Sequence, residues 1–437
     1  MLETLKNAFK MKDLRNKILF TLAMLVVIRL ASQIPVPGVN REYFAQWFEE
    51  QMGDSFSLFN AFTGGSFLNM SIIALNITPY ITSSIIIELL TIAIPKLEEM
   101  QREGAEGRKV LVAITRYLTV ALALIESTAM SIGFWRSNLI EDKNALSIIL
   151  IITALTAGSA FLMWIGEEIT EKGVGNGISI VLTINIVSRL PQDLTSLFNQ
   201  FVAGKSIARG VVAAIIIIAV ILAVVVLTII LNDGVRRIPV QYANKMAGRR
   251  MMGGAQSNIP LRVNTGGVIP VIFASSIMEF PVIISNFANY NGTGVWSEVL
   301  KYLSTNRWCD PASPQYTIGM LVYILLVIFF AYFYTSITFN PIEIAENMKK
   351  QGGFVPGIRP GRPTADYLQN ILNYIVFIGA VGLTIICIIP YIFNGIFGAN
   401  VSFGGTSLII VVSVVLETLN QIESQMLVRN YKGFLNE

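Results

Sequence analysis

The chain has 437 residues, of which 53% are hydrophobic and 14% charged, where a soluble domain carries about 25% charge. Its 32 basic and 28 acidic residues leave a net charge of +4, too mild to argue for a nucleic-acid partner. It contains no histidine, which excludes imidazole acid–base catalysis, a Ser-His-Asp triad and most zinc sites.

The first apolar run, 18–34, follows a basic start, 1–17. It is longer than an ordinary signal core and runs into Pro35-Val36-Pro37-Gly38 with no clear cleavage signal, so it reads as a retained helix. Ser55 to Asn69 is apolar but too short to span, and Gly64-Gly65 interrupts it. Such a segment is interfacial or re-entrant, and the residues alone leave both readings open. Apolar helices are then expected at 70–94, 110–133, 146–165 and 177–190, the last opening in Gly173-Val174-Gly175-Asn176-Gly177. After a hinge loop, 191–209, come helices at 210–231, 266–287, 317–338, 367–390 and 406–428, then a short tail, 429–437. Runs such as Val211 to Leu231 lack any polar face, as lipid-spanning helices do.

Alternate segments carry 22 and 8 of the Lys and Arg residues, and the richer set includes both termini. Both termini are therefore expected to be cytoplasmic, which needs an even number of spans and suits ten. Ten helices divide into halves of five, 18–190 and 210–428, the second inverted. The long basic loops 232–265 and 339–366 are rich in Gly and Pro and read as shaped cytoplasmic projections. Their length suits docking of a ribosome or an acidic partner surface. Cys387 sits in an apolar run and Cys309 in a polar loop, and neither suggests chemistry. Arg29, Glu279 and Glu417 lie inside apolar runs, where a charge is costly; they could contact partner subunits or snorkel to an interface.

From Asn76-Ile77-Thr78-Pro79-Tyr80-Ile81-Thr82-Ser83-Ser84-Ile85-Ile86-Ile87 onward the chain resembles the SecY family, the central subunit of the protein-conducting channel. Further matching strings follow the family order: Ile34-Pro35-Val36-Pro37-Gly38, Gly175-Asn176-Gly177-Ile178-Ser179, Arg236-Arg237-Ile238-Pro239-Val240-Gln241-Tyr242 and Gly267-Val268-Ile269-Pro270. Phe273-Ala274-Ser275-Ser276, Phe354-Val355-Pro356-Gly357-Ile358-Arg359-Pro360-Gly361 and Phe403-Gly404-Gly405-Thr406-Ser407 complete the set.

The resemblance implies an all-α membrane protein whose two inverted five-helix halves enclose an hourglass pore. It implies a waist of Ile77, Ile81, Leu182, Ile186, Ile272 and Ile410. An apolar constriction of this kind excludes water and ions while binding no passing side chain firmly. It makes Ser55 to Asn69 the plug, with Ser55, Leu58, Phe59, Phe62, Gly64, Gly65 and Phe67. It places a lateral gate between helices 2 and 7, at Pro79, Ser83, Ile86, Pro270, Ser275 and Ser276, with the two prolines expected to kink their helices. Arg236, Arg237, Lys245, Arg249, Arg250 and Arg359 would dock the SecA motor or the ribosome. Asn244 stands where relatives can be basic, which bears on the strength of ribosome contact.

The resemblance further implies SecE and SecG as partners, no cofactor and no enzymatic activity. No Gly-rich nucleotide loop is present, so the energy would come from SecA or the ribosome. Substrates would be unfolded preproteins and nascent membrane proteins in the cytoplasmic membrane. The alternative is a secondary transporter of a small solute, which would place convergent polar groups at midplane.

Overall fold

The structure is a computed structural model. It describes residues 2–41, 43–44, 46, 63–140, 144–203, 207–242, 246–247, 250–251, 256–287, 294–304, 308–309, 311, 313–397 and 405–433. The first half contains α1 (Leu2–Lys10), α2 (Lys12–Ala31), α3 (Thr78–Ala93), α4 (Pro95–Arg102), α5 (Ala105–Arg136), α6 (Ala145–Lys172) and α7 (Gly177–Phe201). The second contains α8 (Ile207–Asp233), β1 (Val235–Tyr242), β2 (Met246–Ala247), β3 (Arg250–Met251), β4 (Gln256–Arg262), α9 (Ile269–Phe287) and α10 (Val295–Leu303). It closes with α11 (Ile318–Thr338), α12 (Pro341–Lys350), β5 (Gly353–Phe354), α13 (Arg362–Phe397) and α14 (Gly405–Gly433).

Six helices among the described residues are long and apolar enough to cross a membrane, seven if the bent pair α3–α4 is one span. The fold is thus a multi-pass helical membrane protein. The remaining expected spans, α2, α7 and α9, are helical but carry charges or shorter apolar stretches. α8 has Val, Ile and Leu on every side, and Val211, Val212, Ile215, Ile218, Leu222 and Ile230 are exposed. Such a surface is stable only in lipid, where a helix also satisfies its own backbone.

Two boundaries differ most from the sequence expectation. Helix 2 does not begin at residue 70: residues 64–77 are turns and a bridge, and helix starts at Thr78. Met70 and Asn76 take left-handed φ values of 44° and 54°, which break any helix there. The end of helix 2 agrees with the expected 94: the helix closes at Ala93 with Ile94 as its cap, and the chain there bends by 107° into the short charged helix α4. Helix 5 does not stop at 190; it continues to Phe201 through Pro191, so most of the expected hinge loop is helical.

Helix packing is close where side chains are small. An added Cβ at Gly177 would lie 1.9 Å from the Gly166 carbonyl, so α6 and α7 meet with almost no separation. α7 is capped by Asn176, whose side chain accepts from the backbone N–H of Ile178 (3.1 Å) and Ser179 (3.4 Å). Asn176→Ala should therefore cost about 1 kcal/mol, read as a lower midpoint in thermal unfolding of the detergent-solubilised chain.

The two basic loops form one unit. β1 pairs antiparallel with β4 from Val235↔Arg262 to Gln241↔Gln256, and β5 of the other loop adds to β1 at Gln241↔Phe354. Pro239 lies opposite Asn258 of β4, and because β5 reaches only Gln241 and Tyr242, β1 is an edge strand on that side at the proline. Ile238, Val240, Leu261, Met348, Val355 and Leu368 close a small core beneath the sheet.

Candidate functional site

α7 lies at the junction of the two halves and packs on α6, α8 and α14. Around it one apolar cluster draws side chains from both halves. All six residues expected at the waist belong to it. Ile77, Leu182, Ile186 and Ile410 are buried, and Ile81 and Ile272 pack against them half-buried. Ile77 sits at the N-cap of α3 and accepts from the Ile81 N–H at 3.1 Å, so the pair keeps the one-turn relation despite the late helix start. Leu182 and Ile186 share a face of α7. The Gly166 position faces Ile77, whose Cδ1 would lie 3.6 Å from an added Cβ.

A polar layer backs this apolar one. Asn185, buried beside Ile186, donates from Nδ2 to Asn76 Oδ1 at 2.9 Å, and Asn76 immediately precedes Ile77. Ser159 of α6 donates to the Asn76 carbonyl at 3.1 Å. Arg29 of α2 donates to Ser188 Oγ at 2.7 Å, Ser32 Oγ at 3.0 Å, Asn185 Oδ1 at 3.3 Å and the Gly64 carbonyl at 3.5 Å. Arg29 therefore faces inward to neutral oxygens. Sequence reasoning left Arg29 without a role and missed Asn76, Ser159, Asn185 and Ser188. Their signal was an Arg and an Asn inside apolar runs, whose partners only the fold discloses.

Of the expected plug residues, Ser55, Leu58, Phe59 and Phe62 lie outside the described residues. Gly64 (φ 62°) and Gly65 (φ 80°) follow that stretch, and an added Cβ at Gly64 would lie 2.7 Å from the Asn185 carbonyl oxygen. Glycine is required there on both counts. Phe67 is fully buried against Phe44, with ring centroids 5.6 Å apart at 71°.

The expected gate residues are spread over two helices whose main neighbours lie elsewhere. α3 packs chiefly on α5, and α9 on α11. Ser83 points at α5, bonding Thr119 Oγ1 at 2.6 Å. Ile86 and Ser276 are half-buried and Ser275 is buried. The expected kinks at Pro79 and Pro270 do not occur. Each proline is the second residue of its helix, where its missing N–H costs nothing. Prolines inside helices are instead Pro191, Pro281 and Pro390.

Arg236 and Arg237 are exposed at the start of β1, and Arg359 is exposed on the turn joined to the same sheet. Lys245 and Arg249 lie outside the described residues, and Arg250 lies on β3. Glu417 is exposed on α14, and Glu279 belongs to α9.

A family model described as SecY matches residues 71–419. A Streptomyces galbus protein described as "Protein translocase subunit SecY" is 43% identical over 453 residues, covering all of both chains. Among solved structures, "The structure of a protein conducting channel" matches with a TM-score of 0.61 at 17% identity, covering 94% of this chain and 92% of that one. "Sec61 in the Canine ribosome-channel complex from the endoplasmic reticulum" matches with a TM-score of 0.62 at 18% identity and the same coverage.

Proposed function

The chain belongs to the SecY family, and from that premise we propose how its residues perform protein translocation. It is a pore-forming subunit of a translocase and passes polypeptides through a membrane. The observation that carries the assignment of its waist is the joint burial of Ile77, Ile81, Leu182, Ile186, Ile272 and Ile410 in one apolar cluster built from both halves. A ring of branched aliphatic side chains holds no water file at rest. It also presents no fixed donor or acceptor, so an unfolded chain of any sequence slides past it. A solute carrier needs the opposite, convergent polar groups at its binding site.

On this reading residues 18–190 and 210–428 are the two halves, joined by 191–209, of which 191–201 continues α7. Both termini and the joined basic loops face the cytoplasm. Ser55 to Asn69 is the plug on the opposite side. α3 and α9 border the lateral exit, through Ile86 and Ser276 rather than Ser83, which is committed to α5. The described relatives support a ribosome as one partner. SecA as the motor, with SecE and SecG as companion subunits, follows from the family and from the exposed Arg236, Arg237 and Arg359. This reading assigns the chain no chemical step of its own.

The test places a photoreactive residue at Ile81, Ile186, Ile272 or Ile410 and stalls a secretory chain in the assembled complex. Crosslinks are expected at all four and lost when the signal segment of the substrate is made polar. Absence of crosslinks at every position, with the motor working, would overturn the assignment of the waist to these residues.

A further inference from the structure

The polar layer behind the waist is placed for a definite task. Asn76 and Asn185 are the immediate chain neighbours of Ile77 and Ile186, two members of the apolar ring. They are bonded to each other at 2.9 Å. The Asn185 amide oxygen is in turn held by Arg29 at 3.3 Å, and the Arg29 fork also takes Ser188 at 2.7 Å. Asn76 has a left-handed φ of 54°, an arrangement kept only while its surroundings fix it. The segment it ends, 64–77, is irregular backbone inside a membrane protein, and such backbone survives only where protein groups satisfy it. Its carbonyls at Asn76 and Gly64 are taken by Ser159 and Arg29.

We propose that Arg29 is a positioning residue for the waist: through Asn185 and Asn76 it sets the spacing of Ile77 and Ile186 and so holds the resting pore shut. The charge performs this task because it is shared among several neutral oxygens on α2, α7 and the 64–77 segment. Separation of α2 from α7 breaks the Ser188 and Asn185 bonds together, and the two ring residues lose their common support. The layer is thus both a brace and a release. This inference rests on the waist assignment made above.

The test uses the full chain in its assembled complex, reconstituted in planar bilayers in potassium chloride without substrate. Arg29→Gln should raise the resting ion conductance about tenfold, equivalent to about 1.4 kcal/mol in the closed-to-open balance. Arg29→Lys, with charge but no fork, should restore part of the seal. Asn76→Gly keeps the left-handed backbone at no steric cost and removes only the amide, so it should fold and leak comparably. The double variant should leak no more than the worse single one, since residues of one network are not additive. Unchanged conductance in Asn76→Gly, or additive leaks in the double variant, overturns the proposal. If Arg29→Gln does not assemble, the comparison of Asn76→Gly with the parent decides. The stalled-chain crosslinks at Ile81 and Ile186 should persist in all variants; their absence in the parent would count against the waist itself.

Discussion

Gly158→Ala is expected to prevent assembly of a working channel, although it adds a single methyl group. A Cβ at this position in α6 would lie 1.8 Å from the carbonyl oxygen of Ile72 and 2.6 Å from its carbonyl carbon. Neither atom belongs to a flexible side chain, so α6 or the whole 64–77 segment must move by more than an ångström. That segment is tied on its far side, where the Ile72 N–H donates to the Ile34 carbonyl at 3.0 Å and the Val36 N–H to Met70 at 2.8 Å. One residue on from Gly158, Ser159 holds the Asn76 carbonyl at 3.1 Å and would be carried away with it. Overpacking in a well-filled interior costs about 1–3 kcal/mol, more where backbone meets backbone. The check is the yield of monodisperse complex after solubilisation, with Gly210→Ala as control. There an added Cβ meets nothing nearer than 3.3 Å. A normal yield and normal transport in Gly158→Ala would show that the two segments are not packed as described.

That contact illustrates what could be read from the residues and what could not. Helices with an unbroken apolar composition, such as α8 and α11, were legible because lipid imposes a single requirement on every side of them. The residues proposed for the waist were singled out by the family resemblance alone, and the apolar cluster that gathers them is a tertiary fact no periodicity contains. The late start of α3 was hidden. Residues 70–77 are apolar enough to pass for helix, and only the left-handed turns at Met70 and Asn76 break it. The Asn76 turn is held by Ser159 and Asn185, more than 80 residues away in the chain, and the Met70 carbonyl is taken by the Val36 N–H. The misreading of Pro79 followed directly, and that of Pro270 from an expected start at 266 where α9 begins at Ile269, since a proline is a kink or a helix start depending on where the helix begins. The union of the two basic loops was hidden for a different reason. β5 is two residues long, and its pairing with β1 depends on a loop some 110 residues earlier.

On the docking role proposed for Arg359, Arg359→Glu should abolish motor-driven transport while leaving the resting seal untouched. Arg359 stands exposed on a turn fixed before any partner arrives. Gly357 and Gly361 take φ values of 83° and 103°, which side chains resist and glycine accepts. The Ile358 N–H donates to the Val355 carbonyl at 3.0 Å, and Thr364 Oγ1 donates to the Arg359 carbonyl at 2.8 Å. Val355 itself is buried in the core under β1, so the turn is anchored to the strand that carries Arg236 and Arg237. A guanidinium presented this way loses little entropy on docking and offers a bidentate fork to a carboxylate. Loss of such an anchor typically costs about 2 kcal/mol, roughly thirtyfold in affinity, and reversal of its charge costs more by repulsion. The measurement is transport of a preprotein into vesicles at graded motor concentration, beside resting conductance. Arg359→Lys should fall between the parent and Arg359→Glu, because a point charge cannot reproduce the fork. Arg236→Glu, on the same sheet but not on the braced turn, should be milder and more sensitive to salt. Equal losses in Arg236→Glu and Arg359→Glu would mean that the partner senses the net charge of the face rather than this turn.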